Sequence, residues 1–303
     1  MSVAIMVVHI PSVTNDERIG SVFNHLFAVI HQMENGEGDV CWDFSRTRFL
    51  HPFFVAALSI YKETSEENIS MQNVSASLNN YLQTIRFGNS YDASQLSSEA
   101  VLKDYLGKTF IPVSKFDIKG GNVDQAQSIL QNVIEEQAKV ANSMKMPISY
   151  LTSELICNIG EHSDSKYGYL FSQKVRDDLY IVIADNGKTI YNSYVDTGKY
   201  IDRIGNNEAM ALKLANEGFS TKDRPDAENR GYGISKSREI IVDGLKGAFF
   251  ILSGNAFFRH DIGGTVAVNV PKEFHWKGTI ILIRMPLVAP REFNIYNLSL
   301  IHI

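Results

Sequence analysis

Apolar positions in the first 95 residues alternate between strand-like runs and helix-like spacing. Continuous apolar runs predict buried strands, and apolar residues recurring every three or four positions predict helices. The predicted strands are residues 3–10, 40–44 and 73–78, and the predicted helices are residues 19–33, 52–63 and 81–87. This alternation favours a small α/β domain over residues 1–95.

The pattern changes after a polar stretch at residues 96–116, which we interpret as a linker. Helices come first in the second half and strands come last. The predicted helices are residues 123–141, a helix opened by Pro147, and residues 234–242; the predicted strands are residues 170–175, 179–184, 248–253, 256–259, 265–270 and 279–285, the last four as consecutive antiparallel neighbours. The order predicts an α+β two-layer sandwich over residues 117–290, followed by a tail at 291–303.

Composition narrows the classes of protein. The chain has 303 residues, of which 44% are hydrophobic and 21% charged, with a formal net charge of −5. An acidic balance disfavours a broad nucleic-acid surface. No apolar run approaches the roughly 18 residues of a membrane span, and no signal-peptide pattern opens the chain. Only two cysteines, Cys41 and Cys157, are present, so we expect a cytoplasmic protein without disulfides.

The helix opened by Pro147 holds a polar stripe. Glu154, Asn158 and His162 are four residues apart, which places them on one face beside an apolar side. A carboxylate there can orient or deprotonate a water, and an amide oxygen one turn away can hold a hard cation such as Mg²⁺. The alternative is an exposed polar edge of an amphipathic helix.

Three further motifs follow in order. Asp185 and Gly187 come directly after an apolar strand, where the alternative is an ordinary turn. Gly231 and Gly233 precede a helix, whose free N–H groups suit phosphate. Thr279 opens a late strand, where its hydroxyl can reach a pocket carboxylate; Thr265, also after a glycine, is a rival for that role.

The order of these motifs across residues 120–288 resembles the GHKL ATPase superfamily, which includes histidine kinases, anti-sigma factor kinases and DNA gyrase. The resemblance implies a Bergerat-type fold with ATP and Mg²⁺ as cofactors. It implies that Asn158 coordinates Mg²⁺ and that Glu154 is the general base. Asp185 would accept the adenine amino group, supported by Thr279 and a water, and Gly187 would let adenine lie against the backbone.

The resemblance also assigns the rest of the pocket. Residues 188–230 would be the lid over ATP, with Lys222 approaching the γ-phosphate or, alternatively, lying in solvent. Gly231 and Gly233 would cradle phosphates. The other implied cofactor-binding residues are His162, Tyr232 and Ile234. His162, four residues after Asn158, makes the match closest to the anti-sigma kinase branch.

The N-terminal domain resembles the STAS fold of anti-sigma factor antagonists. Residues 40–45 followed by Phe49 and a helix carry this resemblance. The family has a phosphorylated serine in the following turn, whereas the turn here begins at His51-Pro52 and has no hydroxyl. A STAS-like regulatory domain without its acceptor is therefore implied.

These resemblances leave three functions open. The first is an ATP-operated regulator that signals to a protein partner. The second is a serine protein kinase of the anti-sigma type, acting on a separate STAS protein. The third is a module that binds nucleotide without hydrolysing it. We therefore leave enzymatic activity and homodimer formation open, and expect a protein partner rather than nucleic acid or membrane.

Overall fold

The computed structural model describes residues 5–14, 19–34, 39–93, 103–105, 107–120, 123–139, 141–221 and 232–295. The chain divides into two compact units, residues 1–91 and 92–303. Helices and two β-sheets occur together, which confirms the predicted α+β class at this level. Among the described residues, no helix is both long and apolar enough to cross a membrane.

Unit 1 alternates strands and helices. Its elements are β1 (Ile5–His9), α1 (Ile19–Glu34), β2 (Asp39–Asp43), α2 (Pro52–Thr64), β3 (Ile69–Gln72) and α3 (Ala76–Thr84). The strands form a parallel sheet in the order β1-β2-β3. Trp42, Phe53 and Phe54 are fully buried in its core, which explains why the apolar run of α2 is continuous rather than periodic.

Two predictions for unit 1 were wrong. The strand predicted to be buried at residues 3–10 is the edge strand β1, in which Val8 is fully buried whereas Ile5 is 64% and Val7 46% exposed, because successive side chains of a strand point to opposite faces of the sheet. The strand predicted at 73–78 lies earlier, as β3. Ser75 instead caps α3 by accepting a hydrogen bond from the Leu78 N–H at 3.4 Å, and an N-cap serine favours a helix start.

Unit 2 contains most of the sheet structure. Its helices are α4 (Val123–Ala138), α5 (Asn142–His162), α6 (Ile190–Thr197), α7 (Ile201–Ile204), α8 (Glu208–Asn216) and α9 (Tyr232–Glu239), which continues into a π-helical turn (Ile240–Gly244). Its strands are β5 (Ser114–Asp117), β6 (Tyr167–Val175), β7 (Asp178–Asp185), β8 (Ala248–Gly254), β9 (Ala256–Asp261), β10 (Gly264–Asn269) and β11 (Trp276–Pro286). The two-residue strand β4 (Tyr91–Asp92) spans the boundary between the units.

The strands of unit 2 run in the order β10-β9-β8-β11-β7-β6-β5, with antiparallel neighbours throughout. We predicted that the last four strands would be consecutive neighbours, and this was wrong for β11. Ile280 to Ile283 are all buried, so β11 occupies the centre of the sheet between β7 and β8. The more exposed β10 is left at the edge.

Two other boundaries differ from the predictions. Pro147 does not open a helix but lies inside α5, with its ring buried. Apolar packing of the ring thus accompanies the loss of one helical hydrogen bond. Residues 114–116, predicted as linker, belong to β5.

The predicted long lid segment at 188–230 is not a loop in its described part. It folds into α6, α7 and α8, which share an apolar cluster formed by Tyr194, Ile204, Ala211 and Leu214. Gly198 and Gly205, both with positive φ, end α6 and α7 after one or two turns. These interruptions hid the helical period in the sequence.

Candidate functional site

Unit 2 has a cavity of about 270 Å³ between α5, the end of β7, α6, α9 and β11. This volume is close to the lower end of the range of small-molecule sites, roughly 300–1,000 Å³. The structure brings together on its walls most of the residues predicted from the sequence: Glu154, Asn158, His162, Asp185, Gly233, Ile234 and Thr279. Lys222 and Gly231 lie outside the described residues, as does the side chain of Tyr232, whose backbone begins α9.

The polar stripe of α5 forms one wall of the cavity. Leu151 and Leu155 are fully buried on the neighbouring face, which fixes the rotation of the helix. Glu154, Asn158 and His162 therefore project along the cavity at intervals of one turn. The ring Nδ1 of His162 lies 2.9 Å from the Thr221 hydroxyl. This bond joins the end of α5 to the segment that follows α8.

The start of α9 closely approaches that stripe. A Cβ atom added to Gly233 would lie 2.8 Å from Asn158 Nδ2, 3.2 Å from Asn158 Oδ1 and 3.0 Å from Glu154 Oε2. The shortest of these distances is below what a Cβ atom tolerates and the other two are tight, so a larger residue would displace these side chains. Glycine therefore lets the N-terminal end of α9 face the amide and the carboxylate directly.

Asn158 has an unsatisfied polar atom at this point. Its Nδ2 is buried and has no hydrogen-bond partner among the described residues. Buried polar groups are nearly always hydrogen-bonded in folded proteins. A donor left open beside a helix N-terminus would be satisfied by an anionic oxygen, such as a phosphate oxygen.

The oxygen atoms near Gly233 fit a hard cation that arrives with its own ligands. Mg²⁺ typically takes one or two protein oxygens and completes its shell with phosphates and water. Asn158 Oδ1 offers such an oxygen, and Glu154 Oε2 lies near the same point. Within the described part of the chain, no group of three or more His, Cys, Asp or Glu side chains is placed to hold a metal.

Asp185 lies at the cavity floor, where β7 ends. It is only 3% exposed, and its Oδ1 accepts a hydrogen bond from the Gly187 N–H at 2.9 Å. Burial raises the pKa of Asp185 to about 7, although the backbone amides of Gly187 and Thr279 act to lower it. Desolvation therefore destabilises the ionised carboxylate, and a ligand that donates hydrogen bonds to it would stabilise it.

Gly187 has a structural role that the sequence did not indicate. It does not line the cavity, and a Cβ atom there would lie 2.0 Å from the Ser163 carbonyl oxygen. Glycine is thus required because the end of α5 packs directly on the turn after β7. The predicted contact between Gly187 and adenine stays a prediction.

Thr279 is in the cavity, whereas its rival Thr265 lies on the edge strand β10 and is bonded to His260. The hydroxyl of Thr279 does not make the predicted contact with Asp185. It lies 2.9 Å from the Ser253 hydroxyl instead. The link to the carboxylate comes from the Thr279 backbone amide.

Sequence reasoning missed several residues at or beside the site, of which Ser253 and Lys188 matter most here. Ser253 lies behind Thr279, and the sequence signal for it was a polar residue ending an apolar run, as with Asp185. Lys188 lines the cavity and forms ion pairs with Asp164 and, at 2.8 Å, with Asp196. These hydrogen-bonded ion pairs raise the pKa of Lys188. No local pattern marked Lys188, because its partners come from separate turns of the chain.

The cavity therefore combines two chemically different sets of groups. One is a buried carboxylate, and the other is an amide nitrogen without a partner among the described residues, a second carboxylate and a helix N-terminus. An elongated ligand with a hydrogen-bond donor at one end and anionic groups at the other would satisfy both. Comparison with protein-family models and with curated protein sequences found no match for this chain.

Proposed function

We propose that unit 2 binds Mg-ATP and that the protein is an ATP-operated regulator of the GHKL type, which signals to a protein partner. The observation that supports this most directly is that one cavity is lined by the buried carboxylate of Asp185 and by Asn158, whose amide nitrogen has no partner within the described part of the chain. Each group requires a different kind of ligand atom, and ATP provides both in one molecule.

The adenine end is proposed at Asp185. The adenine amino group donates hydrogen bonds, so it would bind the ionised carboxylate and compensate for its burial. Guanine presents a carbonyl at the same ring position. The carbonyl would face the carboxylate with no proton between them, which should cost about 1–3 kcal/mol.

The phosphate end is proposed at Asn158, Glu154 and Gly233. The Asn158 amide nitrogen would donate to a phosphate oxygen, and its carbonyl oxygen would hold Mg²⁺. When bound, Mg²⁺ supplies positive charge that offsets the triphosphate. Glu154, one turn away, would take the proton of the attacking water or protein hydroxyl.

The test is nucleotide binding by isothermal titration calorimetry with Mg²⁺. We expect wild type to bind ATP more tightly than GTP by about tenfold or more. Asp185→Asn should weaken ATP binding by a similar factor, because its amide is a poorer acceptor. The matched control is Asp178→Asn, since Asp178 begins the same strand β7, outside the cavity, and burial also raises its pKa. Equal affinity for ATP and GTP, or equal losses in both variants, would refute the proposal.

A further inference from the structure

Three polar side chains lie side by side across three neighbouring strands of unit 2. Thr279 on β11 pairs with Asp185 on β7 and with Ser253 on β8. The positions around them are apolar and buried, including Ala184, Leu252 and Ile280. We call Asp185, Thr279 and Ser253 the polar row. Two of its members line the cavity, and Ser253, which is 2% exposed, lies behind them.

The hydrogen bonds of Ser253 fix the direction of each proton in the row. Its Oγ accepts from the Ile190 N–H at 2.9 Å and lies 3.0 Å from the Gly278 carbonyl oxygen. A carbonyl only accepts, so that bond uses the single proton of Ser253. The 2.9 Å contact with Thr279 must then use the proton of the Thr279 hydroxyl.

This assignment has a consequence for the cavity floor. Once the Thr279 hydroxyl donates to Ser253, its oxygen can only accept from a ligand. Asp185 beside it is also an acceptor when ionised. The floor of the cavity therefore presents acceptors and no hydroxyl donor in the polar row.

We propose that Ser253 is a positioning residue for ligand specificity: by holding the Thr279 proton, it makes the cavity floor select an amino group over a carbonyl. The inference rests on the proposed nucleotide binding. Ser253 acts without touching the ligand, because its hydroxyl is consumed by Ile190, Gly278 and Thr279. Removing that hydroxyl would free the Thr279 proton to turn towards a ligand carbonyl.

The experiment compares ATP with inosine triphosphate, which carries a carbonyl where ATP carries the amino group. Calorimetry gives the ratio of the two dissociation constants for each variant. We expect Ser253→Ala to reduce the preference for ATP by about tenfold, chiefly by improving binding of the inosine nucleotide. A general loss of structure would weaken both nucleotides and leave their ratio unchanged.

Thr279→Val provides the second arm, because Ser253 is argued to act through Thr279. In a Thr279→Val background, adding Ser253→Ala should leave the ratio unchanged, as a double-mutant cycle requires. The control is Ser114→Ala on β5, which removes another buried hydroxyl that donates to a carbonyl, that of Pro112. It should leave the ratio at the wild-type value.

The outcomes separate the two proposals. If wild type prefers ATP and Ser253→Ala keeps that preference, Ser253 is purely structural and the inference is wrong. The inference is equally wrong if Ser253→Ala still changes the ratio in the Thr279→Val background. If wild type binds neither nucleotide, the proposed function itself fails, and the specificity role fails with it.

Discussion

Two corners of the molecule, one in each unit, both bury a titratable side chain where the chain passes from a strand to a helix. In unit 1 the chain after β2 reaches His51, which is fully buried and caps α2 by accepting from the Phe53 N–H. In unit 2, strand β7 ends at Asp185, which is almost as deeply buried. Burial lowers the pKa of His51 to about 4 and raises that of Asp185 to about 7.

The two corners differ in what surrounds the buried group. His51 is followed by nine consecutive buried residues of α2, from Pro52 to Ile60, so the corner is sealed by core packing. Asp185 lines a cavity shared with the polar stripe of α5. A shifted pKa therefore does not identify a site by itself, because packing produces one as readily as binding does. Open space and converging polar groups distinguish the second corner.

The largest expected effect is the loss of ATP turnover in a variant of Glu154, which would distinguish a functional site from a packed corner. Glu154→Ala should keep ATP bound while lowering hydrolysis or phosphoryl transfer by roughly 10²- to 10⁴-fold, since a general base acts mainly in the transition state. Asn158→Ala should instead lose Mg-ATP binding. Calorimetry and release of labelled phosphate, together with label retained on protein, measure both steps.

If both variants bind nucleotide as wild type does, the polar stripe of α5 has no role in binding. If Glu154 and Asn158 only form the polar edge of α5, each alanine variant should change stability by about 0.5 kcal/mol or less and leave nucleotide binding intact. If wild type binds ATP but neither releases phosphate nor labels a protein, the enzymatic role fails and only a nucleotide-sensing module remains. Tyr150, whose pKa is raised to about 12 chiefly by burial, provides the control Tyr150→Phe on the same helix.

The next effect is the pH dependence of stability at Asp185. Its folded pKa of about 7 lies above the unfolded value of 3.8, so the folded state binds the proton more tightly. Stability should therefore rise as the pH falls from about 7 towards 4, by at most about 4 kcal/mol. Urea unfolding of wild type and Asp185→Asn at several pH values isolates this contribution. ATP affinity should fall over the same range, because the protonated carboxyl is a poorer acceptor; a flat difference between the two proteins would refute the assignment.

The contribution of His51 to stability should depend on pH in the opposite direction. Its folded pKa of about 4 lies below the unfolded value of 6.5, so the folded state resists protonation. Its contribution to stability is present above pH 6.5 and is lost as the pH falls towards 4, by at most about 3 kcal/mol. His51→Asn keeps a capping side chain that does not titrate. This variant should lose less stability on acidification than wild type and leave nucleotide affinity unchanged.

The sequence indicated polar groups at the ends of apolar runs but not how the runs are arranged. Asp185 was found because it ends an apolar strand, and Thr279 because it follows a glycine and opens a late strand; Ser253 gives the same signal as Asp185. Its partnership with Thr279 depends on β11 lying between β7 and β8. That pairing is long-range, and no periodicity along the chain encodes it.

Packing also gave two residues with a strong local preference a role that the local sequence does not indicate. Pro147 predicted a helix start, but α5 begins five residues earlier, at Asn142. Gly187 suggested close approach of a ligand; the structure shows that the Ser163 backbone closely approaches Gly187, and the contact with a ligand stays a prediction. In both cases a residue with a strong local preference serves a contact with a distant part of the fold.

The smallest effect is expected for a variant of Lys188. It tests whether this lysine only forms its ion pairs or also contacts the ligand. Its partners Asp164 and Asp196 are 71% and 50% exposed. Ion pairs so exposed contribute little to stability and weaken with salt. Lys188→Gln should therefore lower stability slightly at low salt, hardly at all at high salt, and leave ATP affinity unchanged. A large loss of affinity would mean that Lys188 leaves its ion pairs to bind the nucleotide. The Asp185 corner would then differ from the His51 corner in a mobile cation as well as in its cavity.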